Sequence, residues 1–178
     1  MWAARLQLFQ RKLPFMSVEI LKQGTVFKFL EDVTTNDCCH DAIHDIESLF
    51  RVITYICLIR KGPGKNMLCR ELLDGDPENK DLQGVIYRYF DTSEHREILV
   101  IKQALFDNHN KMENDILLKF RPYVEPLKRM MIQWWGIMIL AYEHRKFEHY
   151  TIHDQIIHIV DKAMEELPEN QDPRSRRN

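Results

Sequence analysis

Leu127-Lys128-Arg129-Met130-Met131-Ile132-Gln133-Trp134-Trp135-Gly136-Ile137-Met138-Ile139-Leu140-Ala141-Tyr142 is the stretch that decides the class of fold. From Met130 onward it is apolar at almost every position, interrupted only by Gln133 and Gly136. Methionine, leucine and alanine favour helix, and Pro126 suits a first turn, where its missing amide hydrogen would go unpaired in any residue. The run is shorter than the roughly 18 apolar residues that a membrane-spanning helix requires. It predicts a helix over about 127–147 at the centre of a bundle, because a helix apolar on nearly every side must be wrapped by others.

Segments that can do the wrapping lie on both sides. Ser17 can cap a helix carrying Leu21, Phe27, Leu30 and Val33, and Asp37 can cap one carrying Ile43, Ile46, Phe50, Ile53 and Cys57 at intervals of three and four. Lys61-Gly62-Pro63-Gly64 stops the second, since proline lacks an amide hydrogen and glycine loses the most backbone entropy in a helix. A short helix around Met67 to Leu73 is followed by a restart at Asp76-Pro77-Glu78 and a stripe of Leu82, Val85, Ile86, Tyr89 and Phe90. Asp91 and Glu94 have capping-box spacing for the next helix, whose period runs from Ile98 to Phe120 with a break at Asn108-His109-Asn110. Pro122 ends it. Thr151 and Asp154 have the same spacing before a last helix bearing Ile152, Ile156, Ile159, Val160, Ala163, Met164 and Leu167, which Pro168 terminates. The fold class is therefore all-α, a compact bundle of about six to seven helices with no internal repeat and no alternating strand pattern.

Composition agrees with one folded unit. Hydrophobic residues make up 44% and charged residues 29% of 178, which is globular rather than disordered. Three regions are expected: a basic amphipathic segment over 1–16, a single helical domain over 17–167 and a polar, basic tail over 168–178. The formal net charge of -2 provides no long-range attraction to nucleic acid. Cys38, Cys39, Cys57 and Cys69 follow no disulfide framework and read as reduced thiols, which places the chain inside the cell, in cytoplasm or nucleus. In residues 1–16, Trp2, Leu6, Phe9 and Leu13 share a helical face and Arg5, Arg11 and Lys12 supply charge, the pattern of a mitochondrial presequence or a membrane-surface helix.

Two histidine groups invite a chemical reading. His40 and His44 stand four apart on one helical face, and Cys39 precedes them, so imidazole and thiolate could together hold zinc or iron. The paired-cysteine spacing of structural zinc sites is absent, and a solvated polar face explains the same residues. His144, Glu148 and His149 miss the inverted zinc-protease pattern by one residue, which rotates the first histidine about 100 degrees away. Gly62-Pro63-Gly64-Lys65 lacks the upstream glycine and following hydroxyl of a phosphate loop, and no nucleophile elbow or dinucleotide fingerprint occurs. No catalytic residue and no cofactor is therefore assigned.

Trp135-Gly136-Ile137-Met138-Ile139-Leu140-Ala141-Tyr142-Glu143 resembles the Trp-Gly opening and hydrophobic central helix of Bcl-2-like apoptosis regulators. Ile137 stands where that family carries arginine, and His109 and Asn110 take the Gly-Asp places of its preceding segment. The resemblance implies a regulator of apoptosis. The residues themselves point first to a non-enzymatic interaction protein, an adaptor, scaffold or regulator that recognises a partner polypeptide through an apolar surface. Trp134, Trp135, Met131 and Met138 are the expected contact residues, because methionine adapts to irregular apolar shapes and an exposed tryptophan anchors interfaces.

Overall fold

A computed structural model describes residues 13–22, 41–60, 62, 80–92, 94–144 and 149–167. Those residues form helices and turns with no β-strand among them. The α-helices are α1 (Val18–Lys22), α2 (Ala42–Ile59), α3 (Lys80–Ile86), α4 (His95–Asp107), α5 (Lys128–Glu143) and α6 (His149–Glu166). Short 3-10 and π-helical turns complete them at Leu13–Phe15, Tyr87–Asp91, Met112–Ile116, Leu117–Lys119 and Pro122–Leu127. The all-α expectation holds, and no described helix is long and apolar enough to cross a membrane.

The central helix is α5, as its sequence predicts. It packs against both α2 and α6, while α1 lies on α4. Met131, Trp134 and Met138 are fully buried, and Phe50 of α2 inserts between the tryptophans, 5.8 Å edge-on from Trp134 and 5.7 Å stacked on Trp135. Phe106 of α4 also packs on Trp135, with ring centroids 4.7 Å apart. Aromatic pairs at such separations add about 0.5–1.5 kcal/mol each beyond the area that they bury. One contiguous core joins residues of α1 through α6, and Leu13, Leu21 and Ile98 form a smaller cluster beside it.

Helix boundaries depart from expectation where local hydrogen bonding overrides spacing. Ser17 does cap α1, its Oγ accepting the Ile20 amide at 3.3 Å. Helix α2 begins at Ala42 under Asp41 rather than Asp37, because Asp41 and His44 form a capping box in which the Asp41 amide donates to His44 Nδ1 at 2.8 Å. Asp91 does not open α4: the chain from Lys80 stays helical through the π turn that ends at Asp91, and α4 starts after Glu94. Thr92 steadies that start by donating from Oγ1 to Glu97 Oε2 at 2.7 Å. Likewise α6 is already helical at His149, so Thr151 and Asp154 belong to its first turns and do not cap it. The expected helix around Met67 to Leu73, the restart at Asp76-Pro77 and the residues Phe27, Leu30 and Val33 lie outside the described residues.

The central helix is not wrapped on all sides. Ile132 and Leu140, eight residues apart on α5, remain 40% and 49% exposed, with Gly136 midway between them. That spacing places the three on one ridge of the helix, about 12 Å long at 1.5 Å per residue.

Candidate functional site

Beside that ridge runs a cleft of about 440 Å³. Ile132, Trp135, Gly136, Ile139, Leu140 and Glu143 of α5 form one wall, and His109, Asn110, Met112, Glu113 and Leu117 of the preceding segment form the other. The break at Asn108-His109-Asn110 makes the second wall possible, because it turns the chain at the end of α4. The π-helical turn Met112–Ile116 then buries Met112 while leaving Glu113 exposed at the rim. A π turn places side chains at angles that a regular helix does not offer.

The lining is apolar at the base and acidic at the edge. Met112, Trp135 and Ile139 are buried there, whereas Glu113 and Glu143 stand at the rim with His109, whose Nε2 lies 4.0 Å from Glu143 Oε1. At Gly136 an added Cβ would meet nothing within 4 Å, so no neighbour requires a glycine there. Glycine in a helix interior costs about 1 kcal/mol relative to alanine. The indole Nε1–H of Trp135 is buried and has no acceptor among the described residues.

Of the residues expected to contact a partner, Trp135 alone lines the cleft. Met131, Trp134 and Met138 are 0–1% exposed and belong to the core. Their apolar character reflects core packing, a demand that periodicity cannot tell from binding. The signal for the cleft is Gly136 within an otherwise apolar helix, flanked at four residues on each side by Ile132 and Leu140.

The histidine reading meets a different arrangement. His44 is 3% exposed with both ring nitrogens engaged: Nδ1 accepts the Asp41 amide, so the hydrogen resides on Nε2, which faces Glu19 Oε2 at 3.2 Å. To ligate a metal it would have to give up one of these bonds. His40 and Cys39 lie outside the described residues, and among the described residues no three metal-binding side chains group together.

His44 borders a buried ionic cluster. Glu47 is wholly buried, and its carboxylate accepts from Arg51 Nε at 2.7 Å, Tyr142 Oη at 2.7 Å and the Val18 amide at 3.0 Å. Lys102, 1% exposed, donates from Nζ to the carbonyls of Leu13 and Met16. The cluster thus ties α2, α4 and α5 to the chain around α1. Burial alone would raise the Glu47 carboxyl, but the Arg51 guanidinium and Lys102, with the Tyr142 hydroxyl and Val18 amide, outweigh it and hold the group below its ordinary value. For Lys102 burial dominates and lowers the amine well below its ordinary value; Arg51 adds to this and Glu47 opposes it.

A pH dependence follows from Glu47. A carboxyl whose folded pKa is depressed contributes stability that is complete above its unfolded value, near 4.5, and is lost as pH falls through the folded value. Urea unfolding between pH 3 and 6 should show wild-type stability declining below about pH 4.5, and Glu47→Gln should flatten that decline. Equal slopes in the two proteins would remove Glu47 as the source.

The Cys57 thiol is pushed up to about 11 by burial and stays protonated in the core, and the Tyr89 hydroxyl, buried and donating to Asp115 at 2.8 Å, is pushed up to about 12. Neither side chain lines the cleft. Compared with protein-family models, curated proteins and solved structures, the chain matches none. The likeness to Bcl-2-like regulators therefore rests on the nine residues Trp135 to Glu143.

Proposed function

We propose that this chain is a non-enzymatic helical interaction protein, an adaptor or regulator, that seats a partner polypeptide in the cleft beside α5. The observation that carries the reading is the uncovered ridge of Ile132, Gly136 and Leu140 on the helix that is otherwise the centre of the core. Burying apolar surface is the main driving force for association, and a half-exposed isoleucine and leucine on a rigid helix offer such surface without ordering cost. Gly136 lowers the ridge between them, so a second helix can approach closely by setting its own side-chain ridge into that notch. His109, Glu113 and Glu143 line the cleft beside this apolar surface.

Affinity capture from cells that express the protein, run on wild type, Gly136→Leu and Gly84→Leu, tests this. Leucine at 136 should fill the notch, keep the helix because leucine is the better helix former, and lower recovery of the partner at least about 10-fold. Gly84 of α3 also has open space around an added Cβ but lies outside the cleft, so Gly84→Leu should retain the partner. A partner recovered equally with Gly136→Leu would refute the assignment.

A further inference from the structure

The rim of the cleft differs in character from its base, and the difference specifies the occupant's charge. Glu113 and Glu143 are both exposed, and neither forms an ion pair with a lysine or arginine among the described residues. The positive group at the rim is His109, 4.0 Å from Glu143 and charged only when protonated. The formal charge of the whole chain is -2, so this local pair of carboxylates provides selectivity at the cleft and not general attraction. The same cleft is lined by the helical ridge of Ile132, Gly136 and Leu140, so carboxylates and aliphatic side chains share one lining.

We infer that the occupant is a basic amphipathic helix. Its small or aliphatic face rests on the Gly136 notch between Ile132 and Leu140, and lysine or arginine side chains on its flanks reach Glu113 and Glu143. The inference deepens the partner-binding reading above and rests on it. A rim carboxylate rejects an acidic helix, because like charges brought together cost more than a neutral contact, and so the rim discriminates between helices that share one apolar face. The long stems of lysine and arginine can cover the apolar edge at Leu140 while their charged heads stay in water beside the carboxylates.

The test uses the full chain and three synthetic 18-residue alanine-based peptides. All carry leucine at the same i, i+4 and i+8 positions, and they differ only in having lysine, glutamine or glutamate on the flanks. Binding is measured by calorimetry and by the shift of the Trp135 indole N–H resonance. The lysine peptide should bind about 5- to 10-fold more tightly than the glutamine peptide, the range expected of two partly exposed ion pairs, and the preference should shrink as salt is raised. The glutamate peptide should bind more weakly than either. Glu113→Gln with Glu143→Gln should make lysine and glutamine peptides equivalent without changing thermal stability by more than a few degrees.

Equal affinity for all three peptides, or a lysine preference that survives in the double variant, would overturn the charge assignment. So would an equally tight response to octylammonium alone, which places the recognition in a single cationic amphiphile and not in a helix. If the glutamine peptide binds as well as the lysine peptide and Gly136→Leu abolishes both, the partner-binding reading stands and its charge selectivity fails. If no peptide binds, the charge assignment fails, and the capture comparison with Gly136→Leu and Gly84→Leu judges the wider reading independently.

Discussion

Replacing Glu47 with alanine is expected to lower folding stability by about 3–5 kcal/mol, the cost of leaving a buried cation without its counter-ion. Glu47 has no exposed surface, and Arg51, one turn along α2 with its Nη2 2.6 Å from Glu47 Oε1, is only 5% exposed. Alanine removes the acceptor for Arg51, Tyr142 Oη and the Val18 amide together. Each donor left buried without an acceptor adds a penalty of about 1–3 kcal/mol unless the structure relaxes to admit water. A small domain has only about 5–15 kcal/mol in total, so the variant should be marginal at 37 °C. Urea denaturation of Glu47→Ala, Arg51→Met and the double variant measures the coupling. The double variant should be more stable than the sum of the single losses predicts, because removing both partners strands neither. A loss below about 1 kcal/mol in Glu47→Ala would mean that the cluster is open to solvent.

The second large effect is at Trp134. Trp134→Ala should cost about 3–5 kcal/mol, since the ring is 1% exposed and its removal leaves a cavity facing Phe50 in a core that cannot fully collapse. Trp134→Phe should be much milder. The Trp134 indole Nε1–H has no acceptor among the described residues, so phenylalanine discards an unsatisfied donor along with some volume. Partner capture should track the folded fraction in both variants, unlike Gly136→Leu, which should lose the partner while remaining folded. Thermal melts and capture measured on the same samples separate the two effects. Capture lost in a Trp134→Phe protein of near wild-type stability would place Trp134 at the interface and contradict its assignment to the core.

The helices were legible because their apolar stripes are regular. Ile43, Ile46, Phe50 and Cys57 are buried along α2, and Leu82, Ile86, Tyr89 and Phe90 along the chain from Lys80 to Asp91, as the spacing predicts. Caps were less legible, because Asp37, Asp91 and Thr151 have side chains that suit a cap, and which candidate is used depends on where the preceding segment releases the chain. Asp41 is selected over Asp37 through His44, a partner that the usual glutamate or glutamine pattern of a capping box does not include.

The buried ions illustrate a signal that was present and unread. Glu47 and Arg51 are four apart on the same face as Ile43, Ile46, Phe50 and Thr54, and Lys102 lies between Ile98 and Leu105 on the buried face of α4. Charges inside an apolar stripe announce a buried pair, but only the packing of α1 against α2 and α4 reveals the partners. The candidate site was half legible for a related reason. An almost uniformly apolar α5 indicates that it sits at the centre, yet which narrow strip stays uncovered is decided by how far its neighbours extend. Trp134, Met131 and Met138 share the apolar character of Ile132 and Leu140, but the core takes the first three, Trp134 against Phe50 of α2.

The central claim is that a partner polypeptide lies on the Ile132–Gly136–Leu140 ridge, and site-specific photocrosslinking tests it most directly. A benzophenone amino acid in place of Leu140, 49% exposed at the cleft, is compared with one in place of Val100, 68% exposed on α4 and outside the cleft. Crosslinks from position 140 to one basic helical segment of the partner, with none from position 100, are the predicted result; crosslinks from position 100 with none from position 140 would contradict it.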